Sequence, residues 1–334
     1  MSWQMTIADY LPPHPNKLWD LGKQVGVTAA VTGIPDPIGT PFWIHTPPVW
    51  EYSHLAQIKE RFADADLDLQ VIESAPHSIT EPIRLGLPDR EEKLDRFCEL
   101  LVNMGKLEIP IICPHWMPVL GPMRTTSYLR ERGGALVTGY THSALKNAPM
   151  TEYGEISEEQ LWENASIFLE RVVPVAESAN VKIAVHPDDP PVSPIRGIGR
   201  ILTSPDAFQR WLDIVPSPSN GVTFCQGSFA SMDIDIPATI RRFGSQGKIH
   251  FVHFRDIKGK PKDFVETFQD NGDTDMAEAV RAYREVGFTG PMRIDHVPTM
   301  AGEEQEDLPG YETLGRLFAI GYVKGLMEAV DKYA

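Results

Sequence analysis

The chain has 334 residues, 42% apolar and 23% charged, with a net charge of −15 at pH 7, a balance that suits one large soluble α/β domain spanning residues 1–334. The acidic excess argues against a nucleic-acid partner, which needs a clustered basic surface. It does not forbid an anionic small molecule held by a few local arginines.

A weak strand at Gln4–Ile7 opens the chain, and stronger apolar, β-branched runs follow at Val27–Val31, Leu67–Ile72, Ile109–Cys113, Val181–Val185, Gly221–Phe224, Ile249–Phe254 and Met292–Ile294. Amphipathic stretches between them predict helices at Tyr52–Ala65, Arg90–Met104, Glu158–Ala179, Ser204–Ile214, Ile236–Phe243 and Asp275–Val286. Ser157 with Gln160 three residues on reads as a capping box, and Pro205 after Ser204 reads as a first helical position. Nearly continuous apolar strands alternating with helices imply a parallel sheet covered by helices. Eight such units predict a closed (β/α)8 barrel, also called a TIM barrel. Two stretches interrupt it: a Pro- and Gly-rich one at about 32–48 and a long polar one at about 117–153. Loops after barrel strands lie over the catalytic face, so both are expected to be functional.

No apolar run reaches the roughly 20 residues of a membrane helix. Met1–Asp9 lacks the basic-then-apolar pattern of a signal peptide. Cys98, Cys113 and Cys225 form no CxxC spacing and read as reduced thiols, so a cytoplasmic protein with no membrane partner is expected.

The chemistry-bearing residues fall at strand ends. His186 closes one apolar run, Cys225 the next and His253 lies near the end of a third, while Asp295 and His296 follow the last. Singly, each has an ordinary reading: a hydrogen-bonded histidine, a buried small thiol, a helix-capping aspartate. Jointly, four metal-capable side chains on four strand ends converge at one mouth of a barrel. The donor set suits Zn²⁺, Fe²⁺, Co²⁺ or Mn²⁺ better than Ca²⁺. His186-Pro-Asp-Asp-Pro-Pro191 makes a stiff turn in which Asp188 or Asp189 can orient a ligand or a substrate hydroxyl. Arg124 and Arg255 are the candidate carboxylate clamps, whereas Arg84 reads as a surface residue. Tyr311, in a later loop, is a candidate acid or base. P-loop, G-x-S-x-G and H-E-x-x-H patterns are absent, and Gly197-Ile-Gly199 is no dinucleotide fingerprint.

The segments His-Pro-Asp-Asp-Pro-Pro (186–191), Gly-Val-Thr-Phe-Cys-Gln-Gly-Ser (221–228), Ile-His-Phe-Val-His-Phe-Arg (249–255) and Ile-Asp-His (294–296) resemble the signatures of the mannonate dehydratases. So do Ile72-Glu-Ser74, the stretch from Cys113 through Met117-Pro-Val119 to Arg124-Thr125, and Pro309-Gly-Tyr-Glu-Thr-Leu-Gly-Arg316. The resemblance covers nearly the whole chain in order. It implies a xylose-isomerase-like barrel, a divalent metal (Mn²⁺ in most members) and conversion of D-mannonate to 2-keto-3-deoxy-D-gluconate and water. It also implies that His186, Cys225, His253 and Asp295 are metal ligands, that His296 and Tyr311 are the proton-transfer pair, and that Arg124 is an active-site arginine. Three differences fall on the substrate side. Asp295-His-Val-Pro298 stands where the family has Asp-His-Gly-His or Asp-His-Gly-Arg, Pro114-His-Trp116 stands for Tyr-Asn-Phe, and Pro122-Met123 for Asp-Trp.

Rival expectations are a metal-dependent sugar isomerase or epimerase on the same barrel, a barrel nuclease, and a sugar-acid binder without turnover. The acidic charge disfavours the nuclease, and an isomerase acting on neutral sugars needs no carboxylate clamp. Barrels of this kind commonly pair, so a homo-oligomer is a further expectation.

Overall fold

The computed structural model describes residues 3–34, 49–303 and 309–333. In chain order its elements are β1 (Thr6–Tyr10), α1 (Lys17–Val25), β2 (Ala29–Thr32), α2 (Tyr52–Ala63), β3 (Asp68–Ile72), α3 (His77–Leu85), α4 (Arg90–Lys106) and β4 (Ile111–Ile112). Then come β5 (Thr126–Arg130), β6 (Leu136–Thr141), α5 (Glu158–Ser178), β7 (Lys182–Val185), α6 (Pro205–Ile214), β8 (Asn220–Cys225), α7 (Gln226–Ala230) and α8 (Ile236–Gly244). The chain ends with β9 (Ile249–Phe254), β10 (Ile257–Lys260), β11 (Asp263–Glu266), α9 (Met276–Glu285), β12 (Pro291–Ile294) and α10 (Thr313–Tyr333).

Strands β1, β2, β3, β4, β7, β8, β9 and β12 close into a barrel in that order, every neighbouring pair parallel and β12 returning to β1. This is the expected (β/α)8 barrel. Outward-facing strand residues and the helices share one large apolar core that includes Leu69, Ile183, Phe224 and Phe254. A smaller cluster of Ala8, Ala29, Val31, Val71, Ile111, Cys113, Ala184 and Phe251 fills the interior. The helix starts follow the side-chain chemistry of the caps. Ser157 accepts from the Gln160 amide, Ser204 from Ala207, Asp235 from Ala238 and Asp275 from Glu278.

The polar stretch at 117–153 is more ordered than its composition suggested. It contributes β5 and β6, which join the β10–β11 hairpin that follows β9 in a four-stranded antiparallel sheet ordered β10-β11-β6-β5. Tyr140 on β6 and Phe264 on β11 are paired across the sheet and buried, their rings 5.8 Å apart. The strand β5, none of whose residues is buried, explains why a loop is expected there from composition alone. Of the stretch at about 32–48, residues 35–48 lie outside the described residues.

Candidate active site

Side chains two apart on a strand share a face, and this period carries the barrel's interior residues up into the site. Ala184 faces inward and so leads to His186; Phe251 leads to His253, Val71 to Glu73 and Arg293 to Asp295. Thr223, whose hydroxyl meets the Cys113 sulfur inside the barrel at 3.1 Å, leads to Cys225. These side chains meet at one end of the barrel, beside a cavity of ≈ 660 Å³ lined by Tyr10, Glu73, Arg124, His186, Asp189, Arg293, Asp295, His296, Tyr311 and Arg316 among others.

Ligand atoms of His186, Cys225 and His253 lie within 4.8 Å of one another. Asp295 Oδ2 lies 3.7 Å from His253 Nδ1 and 3.8 Å from the Cys225 sulfur. The four residues expected to hold a metal are therefore brought together. Both ring nitrogens of His253 are buried without a hydrogen-bond partner, a costly arrangement unless something else binds them. His186 Nδ1 lies 2.7 Å from the Pro187 carbonyl, which fixes the proton there and leaves the Nε2 lone pair free. Burial lowers the His186 pKa, favouring the neutral ring that coordinates metal. The Cys225 sulfur accepts from Ser228 Oγ at 3.2 Å and Arg255 Nε at 3.3 Å. These donors and this geometry fit a divalent cation. A second group, Glu73, Cys113 and His253, has comparable spacing, but burial pushes the Cys113 thiol well above its ordinary range and its sulfur meets the Thr223 hydroxyl at 3.1 Å, so it keeps its proton.

Beside the metal-capable cluster stands a network of guanidinium and carboxylate groups. Glu266, at the end of β11, accepts from His296 Nδ1 at 2.9 Å, from Arg124 Nε at 3.1 Å and from Arg255 Nη1. Burial alone would raise its pKa, but Arg255 and Arg124 reverse this and hold it at about 2. Asp189 takes Arg124 in a bidentate pair at 2.7 and 2.8 Å and Arg255 Nη2 at 2.8 Å. His296 has a φ of +30°, unusual for a residue with a Cβ. It is held there by Gln269 Nε2 on its carbonyl at 3.0 Å and by Glu266 on its ring. Its ring meets Tyr311 edge-on at 5.1 Å. The Tyr311 hydroxyl donates to Asp295 Oδ1 at 3.2 Å, and burial together with the Asp295 charge pushes its pKa up, so the phenol keeps its proton.

Several sequence expectations need correction. Asp188 does not line the cavity: it is buried against Arg200 Nη1 and the Leu202 amide, and its neighbour Asp189 faces the site instead. Arg255 is absent from the cavity wall, enclosed by Asp189, Glu266, Asp295, Cys225 and Ser228. Gly227 permits this, because a Cβ there would sit 2.8 Å from Arg255 Nε. Arg124 does reach the cavity, yet its N–H groups are taken by Asp189, Glu266 and the Met123 carbonyl. Neither arginine is a free carboxylate clamp. Arg84 is not at the surface: it is 1% exposed, bonded to Glu81 at 3.3 Å and 3.4 Å from His115 Nε2, and burial lowers its pKa to about 10. Sequence reasoning assigned no role to Glu73, Glu266, Arg293 or Arg316. The available signal was a charged residue inside or just after an apolar strand, clearest for Glu73 and Arg293.

The fold and site define a barrel enzyme built around a metal-capable His/Cys/His/Asp cluster. A family model described as D-mannonate dehydratase matches residues 4–153 and 147–334. The mannonate dehydratase of Thermotoga petrophila is 35% identical over 337 aligned positions, covering 90% of this chain and 92% of that protein, and the Thermotoga neapolitana one is 34% identical with the same coverage. A crystal structure of mannonate dehydratase from Streptococcus suis serotype 2 superposes with a TM-score of 0.86 at 29% identity, over 98% of this chain and 94% of that one. The chain belongs to the D-mannonate dehydratase family, a family of hydro-lyases. A D-tagatose 3-epimerase-like protein shares the fold more distantly, at a TM-score of 0.61 and 14% identity.

Proposed function

We propose that this protein is a metal-dependent D-mannonate dehydratase, releasing 2-keto-3-deoxy-D-gluconate and water. The observation that supports the reading is the cluster of His186, Cys225, His253 and Asp295 beside a cavity that His186, Asp295, His296 and Tyr311 line. These four would hold the metal, with Mn²⁺ as the preferred occupant and Fe²⁺, Co²⁺ or Zn²⁺ as alternatives. When bound it would supply a Lewis acid that stabilises negative charge on the substrate's carboxylate end.

The protein's own groups account for the proton transfers. Glu266 holds the proton of His296 on Nδ1, leaving Nε2 as the acceptor for the C2 proton. The Tyr311 hydroxyl gives its proton to the departing C3 oxygen, which leaves as water. Loss of the C2 proton and C3 hydroxyl forms an enol, which tautomerises to the 2-keto acid. The Glu266–Arg124–Asp189–Arg255 network holds His296 in place and keeps its orientation as charge moves. We further read the chain as one barrel domain acting in the cytoplasm on a small sugar acid, without nucleic acid or membrane. Among the described residues no helix is long and apolar enough to cross a membrane.

The test is incubation of Mn²⁺-supplemented protein with C5 and C6 aldonates and with free ketoses, reading 2-keto-3-deoxy acid and epimer formation separately. D-mannonate turnover is expected. Turnover of another aldonate alone would keep the chemistry and reassign the substrate. Epimerisation of ketoses without dehydration would overturn the reading.

A further inference from the structure

With Arg124 and Arg255 committed to protein carboxylates, a side-chain partner for the charged end of an acid substrate, beside the metal, must be sought elsewhere. Among the described residues three guanidinium groups line the cavity: those of Arg124, Arg293 and Arg316. Arg124 is neutralised by Asp189 and Glu266. Arg293 is neutralised by a bidentate pair with Glu73 and by Asp295 at 2.8 Å.

Arg316, in the first turn of α10, differs from both. Its Nε donates to the Tyr311 carbonyl at 2.9 Å, and its Nη1 to the Tyr10 carbonyl at 2.8 Å and to Asp9 Oδ1 at 3.3 Å. Among the described residues Nη2 has no hydrogen-bond partner, although the residue is only 6% exposed. Among the described residues its one ion pair is this single contact with Asp9 at 3.3 Å, whereas Arg124 and Arg293 are each held by two carboxylates at shorter range. Among the described residues Arg316 is thus the least compensated cation on the cavity wall. Its fixed orientation matters as much as its charge, because three bonds already lock the plane and aim the remaining edge. The guanidinium also lies 5.6 Å from the centre of the Tyr311 ring, which places it on the Tyr311 side of the cavity.

We propose that Arg316 binds the carboxylate of the sugar acid and so makes the site selective for aldonates over neutral polyols. This rests on the dehydratase reading. A desolvated guanidinium with a free nitrogen gains most from an anion, because charge-assisted bonds are about twice as strong as neutral ones. A sugar hydroxyl at the same place would offer no charge.

The experiment compares wild type with Arg316→Gln and Arg316→Lys, all Mn²⁺-loaded. It measures KM and kcat for D-mannonate, Ki for D-mannitol as the neutral competitor, and the calorimetric Kd of the 2-keto-3-deoxy acid product. Arg316→Gln is expected to raise KM and the product Kd about 10- to 100-fold, to lower kcat much less, and to leave the Ki for D-mannitol within about twofold. Arg316→Lys keeps the charge and should recover part of the lost affinity. Equal weakening of aldonate and polyol would show that Arg316 reads a hydroxyl, and a fall in kcat with unchanged KM would show that it only supports Tyr311; either overturns the proposal. Failure of the wild type to dehydrate any aldonate would instead overturn the dehydratase reading.

Discussion

Glu266→Gln removes one negative charge from between two buried guanidinium groups while keeping the side-chain volume. The Arg255 and Arg124 charges overcome burial and hold the Glu266 pKa at about 2, against an ordinary value of 4.5. A difference of about 2.5 pH units corresponds to about 3 kcal/mol of charge-dependent stabilisation at neutral pH. The folded-state pKa is depressed, so this contribution is fully present above about pH 5 and lost as pH falls from 4.5 towards 2. The linkage relation leaves about 40% of it at pH 3. For a chain of this length, about 3 kcal/mol translates into a fall in Tm of about 4 °C. Urea unfolding of wild type and Glu266→Gln from pH 7 to pH 3 measures it directly. The variants should differ by about 3 kcal/mol at pH 7 and converge below pH 4.5. A gap under about 1 kcal/mol at pH 7, or one that stays constant to pH 3, would refute the argument that the carboxylate's charge binds this network. Turnover should fall less in Glu266→Gln than in Glu266→Ala, because the amide oxygen can still accept from His296 Nδ1.

His296→Asn and Tyr311→Phe should each lower kcat by roughly 10²- to 10⁴-fold while bound metal, read by elemental analysis after dialysis, stays at the wild-type level; near-normal turnover in both would remove them from the proton transfers. Chelation should abolish turnover, and restoring Mn²⁺ at roughly 100 times its Kd should stabilise the fold by about 2.7 kcal/mol, a Tm rise of about 4 °C by scanning calorimetry. In Cys225→Ser that rise should shrink together with the metal content, and an undiminished rise would place the metal elsewhere. Phe224, fully buried and stacked on Phe229 at a centroid distance of 4.5 Å, should cost about 3–5 kcal/mol when replaced by Ala; a loss below about 1.5 kcal/mol in urea unfolding would mean that this layer of the core collapses around the gap.

The barrel and the four metal-capable residues were legible because both follow from short-range periodicity. An apolar strand that alternates inward and outward announces which residue beyond its end will face the mouth, and His186, His253 and Asp295 each lie two positions past an inward-facing side chain. The same rule reaches Glu73, where an acidic residue after Ile72 was noted only as part of a resemblance. It fails for Asp188 and Asp189, because a proline-rich turn has no fixed alternation. There, one carboxylate turns to Arg200 and the Leu202 amide while the next turns to Arg124. It fails also for Glu266, which comes from a hairpin whose pairing partner, β6, lies more than a hundred residues earlier. No local pattern announces that the two segments meet.

The arginines expose a more general obstacle. Arg124 and Arg255 looked like clamps because they sit in loops after strands, and the structure does put Arg124 on the cavity wall. A buried guanidinium must be compensated, however, and whether the compensating anion is a protein side chain or a substrate depends on long-range partners such as Glu266 and Asp189. Once those two carboxylates are placed, they use up both arginines and leave the carboxylate-binding role to a cation whose neighbours are mainly backbone carbonyls. Carbonyls orient a guanidinium without cancelling its charge. Arg316 meets that condition through the carbonyls of Tyr10 and Tyr311. Among the described residues, an arginine known to the sequence only as the end of a family-like segment is therefore the one whose charge remains available to a ligand.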